Sequence, residues 1–207
     1  MLPSYYIRLS IDSSSFDECV ASSAGFGGPN RYPRRRPSER MGVTDIFVAD
    51  AGSAPMQSVD CVRAVEGGLR GDRYCEGRGH YTPFDVCEVT LIASEDIAYI
   101  DDELGLSLAA GQHRRNLVTE GVDLHDLLDH RFRVGDATLK GTRPRPPCAH
   151  VEELAEQKGV ARALGDGRGG ICAAVIDPGD IAVGDEVVDL GSTDRTDEIV
   201  ARLRSEY

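Results

Sequence analysis

Lysine is nearly missing from this chain. Lys140 and Lys158 are the only lysines among 23 basic residues, so almost every cation is a guanidinium. Asp and Glu total 35, and the formal net charge is −12. A surface this acidic repels nucleic acid and anionic membranes, so neither is an expected partner. An acidic, lysine-poor, halophilic composition suits a salt-adapted cytoplasm. Marked loss of structure on moving from molar salt to dilute buffer is the expected result, and an unchanged unfolding midpoint would count against it. No apolar run approaches the ~20 residues that a membrane helix needs. No apolar stretch followed by a cleavage site opens the chain, which points to a cytoplasmic rather than a secreted protein. The six cysteines, Cys19, Cys61, Cys75, Cys87, Cys148 and Cys172, include no C-x-x-C pair and no zinc-ligand spacing. In a cytosolic protein most are expected reduced and buried, and Cys172, inside the apolar run Ile171 to Ile176, belongs to the core.

What is present fits one domain with a proper core. The chain has 207 residues, 41% hydrophobic and 28% charged. Residues 1–40 stand apart, with six basic and four acidic residues, serine and glycine runs, and five arginines between Arg31 and Arg40. This composition predicts disorder. Met41 opens a normal domain start, so residues 1–40 read as an extension or as a misplaced start, with a functional basic tail as the rival. Residues 41–191 form the expected domain, and residues 192–207 read as a polar helical tail.

The domain is organised around Arg143-Pro144-Arg145-Pro146-Pro147-Cys148-Ala149-His150. A strand is predicted over Ala137 to Thr142 and a helix over Ala149 to Lys158. The prolines between them disfavour both helix and ladder pairing. Cys148 therefore falls on a stiff loop at a helix mouth, where N–H groups favour thiolate over thiol. Arg143, Arg145 and His150 add positive charge. A reactive sulfur in an anion-holding site is one reading, and a buried cysteine capping a turn is the other.

Short strands dominate the remainder. They are predicted over Thr44 to Ala49, Val59 to Val65, Glu88 to Ala93, Leu117 to Thr119, Arg131 to Val134, Ile171 to Ile176 and Glu186 to Leu190. Ser94 reads as the N-cap of a helix that stops at Gly105, and Asp123 as the cap of a short helix after it. The loop Gly67 to Tyr74, with Arg70 and Arg73, suits close approach to an anion, and Arg78-Gly79-His80 continues it. Arg114 and Arg115 alternate if they open a strand, so at most one is expected to face a given site. His125 and His130 do not share a helix face and are not read as a metal pair. Gly165 to Gly170 matches G-x-G-x-x-G, but it follows a helix and precedes a strand, the wrong order for dinucleotide binding. The pattern predicts a mainly β domain with short helices (α+β), a compact mixed β-barrel with helices packed outside.

Several pieces, in order, resemble one family. They are Gly68-Leu69-Arg70-Gly71-Asp72-Arg73, Glu88-Val89-Thr90-Leu91-Ile92 with Glu95, and Arg115-Asn116-Leu117-Val118-Thr119-Glu120-Gly121-Val122-Asp123-Leu124. Val134-Gly135-Asp136, Pro147-Cys148, and Arg168-Gly169-Gly170 leading to Val183-Gly184-Asp185 follow. Over roughly residues 43–190 this set resembles the molybdenum cofactor sulfurase C-terminal, or MOSC, domain. The resemblance implies a barrel-like fold and a molybdenum cofactor (molybdopterin). It implies that Cys148 carries persulfide sulfur or ligates molybdenum. Arg73, Arg115 and Asn116 become cofactor-positioning candidates by the resemblance, with Arg168, Gly169 and Gly170 as support, and Arg145 joins them through its charge beside Cys148.

Full-length sulfurases carry a PLP-dependent desulfurase domain that this length does not hold, and neither lysine sits in a PLP-like setting, so no PLP is expected. Sulfur would come from a cysteine desulfurase partner. A molybdoenzyme would receive it. A reductase of N-hydroxylated compounds is the alternative activity. It would need an external electron donor, since no ferredoxin-like cysteine cluster is present. A non-catalytic anion-binding or interaction domain is the third reading.

Overall fold

The structure is a computed structural model, and it describes residues 41–79, 87–108 and 111–192. The expected N-terminal extension, Cys19, His80 and the tail beyond Ser192 lie outside the described residues.

Eleven strands and three α-helices make up the described part. They run β1 (Gly42–Val48), β2 (Gln57–Val59), β3 (Cys61–Val65), β4 (Gly68–Leu69), β5 (Val89–Ala93), α1 (Ser94–Leu104) and β6 (Leu117–Glu120). After a 3-10 turn at Leu124–Leu127 come β7 (His130–Val134), β8 (Ala137–Pro144), α2 (Ala149–Ala155), α3 (Val160–Ala163), β9 (Ile171–Asp177), β10 (Gly179–Ala182) and β11 (Val187–Ser192). One eight-stranded sheet has the order β11-β7-β8-β9-β5-β6-β1-β2, and a second sheet has the order β10-β3-β4. Pairing is antiparallel except between β5 and β6, which α1 connects. The large sheet curls into a half-barrel. Val43 N–H donates to Asp185 (2.9 Å) and Val187 N–H to Met41 (3.1 Å), which brings β1 round to the start of β11.

Adjacent residues on one strand feed two different cores, as a period of two requires. Ile46, Leu91 and Leu117 point into the barrel with Phe132, Leu139 and Ile171. Their neighbours Phe47, Ile92 and Val118 face outward against Ile100 of α1, Val151 of α2 and Val160 of α3. The helices thus pack outside the barrel, as the sequence pattern predicts. No helix among the described residues is long and apolar enough to cross a membrane.

Four expectations need correction. The stretch Val59 to Val65 is two strands, broken at Asp60. The ladder does not stop at Thr142: after a register shift, Arg143 pairs with Cys172 and Pro144 with Ile171. A proline at the last position of a strand withholds one N–H without preventing the pairing of the backbone that precedes it. Helix α2 ends at Ala155 rather than Lys158, because Glu156 turns left-handed (φ 52°). Ser94 is the first helical residue and not the cap. Its hydroxyl donates to the Glu95 carboxylate (3.2 Å), and that carboxylate accepts the N–H of Gly121 (2.7 Å).

Candidate functional site: an arginine-lined pocket with a thiol

Four segments meet at one end of the barrel. They are the turn leaving β1, the loop after β4, the turn entering β6, and the β8–α2 connection. Their side chains line a pocket of Gly52, Arg73, Tyr74, Arg114, Arg115, Arg145, Cys148, His150 and Val151. It encloses about 380 Å³ of space, open solvent at its mouth included.

The floor is a buried polar network. Asp72 is fully buried. Its Oδ2 accepts from Arg73 Nη1 (2.9 Å), Asn116 Nδ2 (3.0 Å) and Ala49 N–H (3.1 Å), and its Oδ1 from Tyr74 N–H (3.1 Å). Asn116 Nδ2 also donates to the Phe47 carbonyl (3.1 Å), while its Oδ1 accepts from Thr90 N–H (3.1 Å) and Thr90 Oγ1 (2.7 Å). Both ends of the Asn116 amide are therefore committed to protein. Asn116 ties β1, β5 and the Asp72 loop together, and it acts on the pocket by positioning Asp72.

The arginines are held by carbonyls more than by carboxylates. Arg73 Nη2 donates to the Arg114 carbonyl (3.1 Å), and its guanidinium lies over the Tyr74 ring (4.6 Å). Arg114 donates to the carbonyls of Ala54 and Gly52, the latter at 2.7 Å. Arg115 donates through Nε to Gly169 (2.9 Å) and through Nη1 to the His113 carbonyl (2.6 Å). Arg145 Nη2 donates to Tyr74 Oη (2.8 Å). Burial and its neighbour Arg73 push Arg114 down to about 10; burial and its neighbour Arg145 push Arg115 down to about 10. Both stay charged at neutral pH. Four guanidiniums share one pocket with one buried carboxylate, so the pocket carries an excess of positive charge that an anion would neutralise.

Arg114 and Arg115 both line this pocket, contrary to the expected alternation. They precede β6, and Arg114 sits at φ 62°, in a turn whose N–H returns to Gly111 (2.9 Å). Alternation holds only inside a strand. Gly111 two residues before His113 is the sequence signal for that turn. His113, Asp72 and Tyr74 also go unselected by sequence reasoning as site residues, since each depends on partners distant along the chain.

Cys148 stands at the N-cap of α2 with no side-chain capping bond (φ −136°, ψ 128°), half-buried beside the outer core. The thiol is therefore at the helix mouth, as the proline loop predicts. His150 Nε2 lies 3.5 Å from Ser53 Oγ, and its Nδ1 3.5 Å from Glu153. Arg168 is placed elsewhere. Its Nε donates to the Ala163 carbonyl (2.8 Å), it pairs with Asp166 (3.2 Å), and it lies over the Tyr99 ring (5.3 Å). Gly169 and Gly170 contribute backbone: the Gly169 carbonyl holds Arg115, and the Gly170 carbonyl accepts Arg145 N–H (2.8 Å). A Cβ on Gly169 would meet the Arg145 carbonyl, and one on Gly170 (φ 74°) the Leu91 carbonyl. Both glycines are required by close packing beneath the pocket.

Among the described residues, no group of three or more His, Cys, Asp or Glu could hold a metal ion. A thiol among guanidiniums differs from a metal cage built of protein ligands alone. It suits an anionic ligand.

The MOSC domain family model matches residues 78–188. The chain belongs to the MOSC domain family. The match includes Arg114, Arg115, Arg145 and Cys148, while Asp72 and Arg73 precede it. Solved structures of similar fold cover more of the chain than the family model does. The YuaD protein from Bacillus subtilis is 20% identical, with 71% of this chain and 93% of that chain covered and a TM-score of 0.59. YiiM from Escherichia coli is 22% identical, covering 75% of this chain and 71% of that one, with a TM-score of 0.58. YiiM from Geobacillus stearothermophilus is 19% identical, with coverages of 73% and 75% and a TM-score of 0.58. No curated protein matches the sequence. In this MOSC domain Cys148 lines the arginine pocket.

Proposed function

We propose that this MOSC protein binds a molybdenum cofactor at the arginine pocket and handles sulfur there through Cys148. The observation that carries the reading is the lining itself: Arg73, Arg114, Arg115 and Arg145 share one pocket with Cys148. The donor set fits the cofactor's chemistry. Guanidiniums suit its phosphate, and a thiolate is a soft ligand for molybdenum or an acceptor for sulfane sulfur. When bound, the cofactor supplies a metal centre for atom transfer.

The chain's own residues do the rest. Arg115 and Arg145, fixed from below by Gly169, Gly170 and Tyr74, orient the anionic end of the ligand. Arg73 and Arg114, locked to Asp72 and to the turn after β1, close the opposite side. Cys148 accepts sulfur when its thiolate attacks the terminal sulfur of a donor persulfide. That sulfur then bonds to Cys148 as the donor leaves as a thiolate. A cysteine desulfurase is the class of donor that chemistry requires, and a molybdoenzyme the class of recipient.

Protein purified anaerobically from its own source is expected to contain molybdenum with pterin, or one extra sulfur on Cys148 by intact mass. Cys148→Ser should lose the extra sulfur and most of the metal while its circular dichroism stays unchanged. Wild-type protein lacking metal, pterin and persulfide would sink the proposal. So would a folded Cys148→Ser variant that retains them at wild-type levels.

A further inference from the structure

The pocket's guanidiniums supply charge, but several of their hydrogen-bonding edges already face protein. Arg73 gives Nη1 to Asp72 (2.9 Å) and Nη2 to the Arg114 carbonyl (3.1 Å). Arg114 gives Nη1 and Nη2 to the carbonyls of Ala54 and Gly52. Arg115 gives Nε and Nη1 to those of Gly169 and His113. A guanidinium edge forked onto the protein is not offered to a ligand as a bidentate pair. Tyr74 differs. It lines the pocket, and its N–H donates to the buried Asp72 carboxylate (3.1 Å), which pins the backbone behind the ring. The Arg73 guanidinium lies 4.6 Å from the ring centroid and that of Arg145 5.8 Å.

A phenol can accept and donate at once. Arg145 Nη2 donates to Tyr74 Oη (2.8 Å), which uses the accepting side. Among the described residues nothing accepts the Tyr74 hydrogen. Burial holds the phenol above its ordinary range, against the pull of Arg145 and Arg73, so the hydrogen is present at neutral pH. We propose that Tyr74 is a ligand-contacting residue of the pocket, whose O–H donates to an unprotonated oxygen of a bound phosphate monoester group. The inference deepens the anion-site reading and rests on it, but it does not depend on sulfur at Cys148. The guanidiniums attract any small anion, since charge acts at a distance. The phenol hydrogen rewards only an acceptor atom nearly in line with the O–H bond. Arg145 serves both ends of this chain of donors. It holds the phenol in place, and by donating to Oη it makes the O–H a stronger donor.

Removing the hydroxyl deletes one hydrogen bond to a charged group. Tyr74→Phe should therefore bind methyl phosphate roughly tenfold more weakly, with unchanged circular dichroism. A Tyr74 that only held Arg145 would lose its influence once Arg145 was gone. A ligand contact keeps a loss of roughly threefold or more in an Arg145→Leu background.

The test uses the full chain. Calorimetry with methyl phosphate and with inorganic phosphate compares wild type, Tyr74→Phe, Arg145→Leu and the double variant. In parallel, 3-fluorotyrosine incorporated at position 74 keeps the hydroxyl and gives a single fluorine NMR resonance. That resonance should shift when methyl phosphate is added, and it decides the case alone if a variant does not fold or bind. A resonance that stays put in a protein that binds the probe overturns the proposal. So does an affinity loss that disappears in the Arg145→Leu background. Inorganic phosphate binding where methyl phosphate does not overturns the ester assignment and leaves the free ion as occupant. A wild type that binds neither probe defeats the anion-site reading, and the Tyr74 contact with it. Wild-type calorimetry therefore tells the two failures apart.

Discussion

Between pH 7 and pH 4 the protein is expected to lose stability through one buried imidazole, His113. Its ring is 2% exposed and edge-on to Phe47, with ring centroids 5.3 Å apart. Its Nδ1 accepts the N–H of Arg115 (3.0 Å), which it can do only when that nitrogen is unprotonated. Burial first, then the charges of Arg115 and Arg114, push His113 down to about 3. In the unfolded chain the same ring titrates near 6.5. The unfolded state therefore binds the extra proton throughout the interval between those values. Stability from this group is fully present above about pH 6.5 and is lost as pH falls toward about 3. At pH 4 the loss is roughly 3 kcal/mol. That is a large share of the 5–15 kcal/mol typical of a domain.

Urea unfolding of wild type and His113→Gln at the two pH values checks this. Glutamine keeps a hydrogen-bond acceptor and does not titrate. The variant should lose roughly 3 kcal/mol less than the wild type on acidification. Equal losses in both proteins would show that His113 does not set the acid limit. The pocket should fail first. Protonation of His113 ejects the acceptor that orients Arg115 and adds another cation beside four guanidiniums.

His113 illustrates what the sequence does and does not disclose. The barrel strands were legible because alternation is local. Ile46 and Phe47, Leu91 and Ile92, and Leu117 and Val118 each split between the two cores as the pattern requires. Strand β10 was not legible, because Gly179 to Ala182 carries little hydrophobic signal and owes its conformation to pairing with β3. Cys148 was legible because prolines and a following helical run define its loop by themselves. Arg73 and Arg115 were legible as candidate site residues from the family's ordered motifs, Arg145 from its charge beside Cys148, and all three reach the pocket. Arg114 was not, since it sits in a turn (φ 62°) where strand alternation does not hold. Arg168 could not be separated from the others in sequence, where it adjoins Gly169 and Gly170. Only the placement of Tyr99 and the Ala163 carbonyl draws it away. Asp72 depends on partners as far along the chain as Asn116, and His113 on burial against Phe47, and neither has a local signature.

Replacing Asp72 by alanine is expected to destabilise the fold by about 3–5 kcal/mol, because it leaves the Arg73 charge buried without its countercharge. Arg73 is 3% exposed and has no route to water comparable to that of a surface arginine. Asparagine should rescue little. All four groups that Asp72 accepts from are donors: Arg73 Nη1, Asn116 Nδ2, and the N–H groups of Ala49 and Tyr74. An amide in either orientation turns its NH₂ against one set of them. Chemical denaturation of both variants checks the claim, and an Asp72→Ala midpoint close to that of the wild type would refute it. The second consequence concerns the site. Without Asp72 the pocket keeps four guanidiniums and loses its buried carboxylate, so its unfilled state becomes more costly. Saturating phosphate should therefore stabilise Asp72→Asn by more than it stabilises the wild type. A role for Asp72 confined to packing predicts equal stabilisation of the two proteins by phosphate. Excess stabilisation of the variant would show that Asp72 sets the charge against which the pocket's anion is bound.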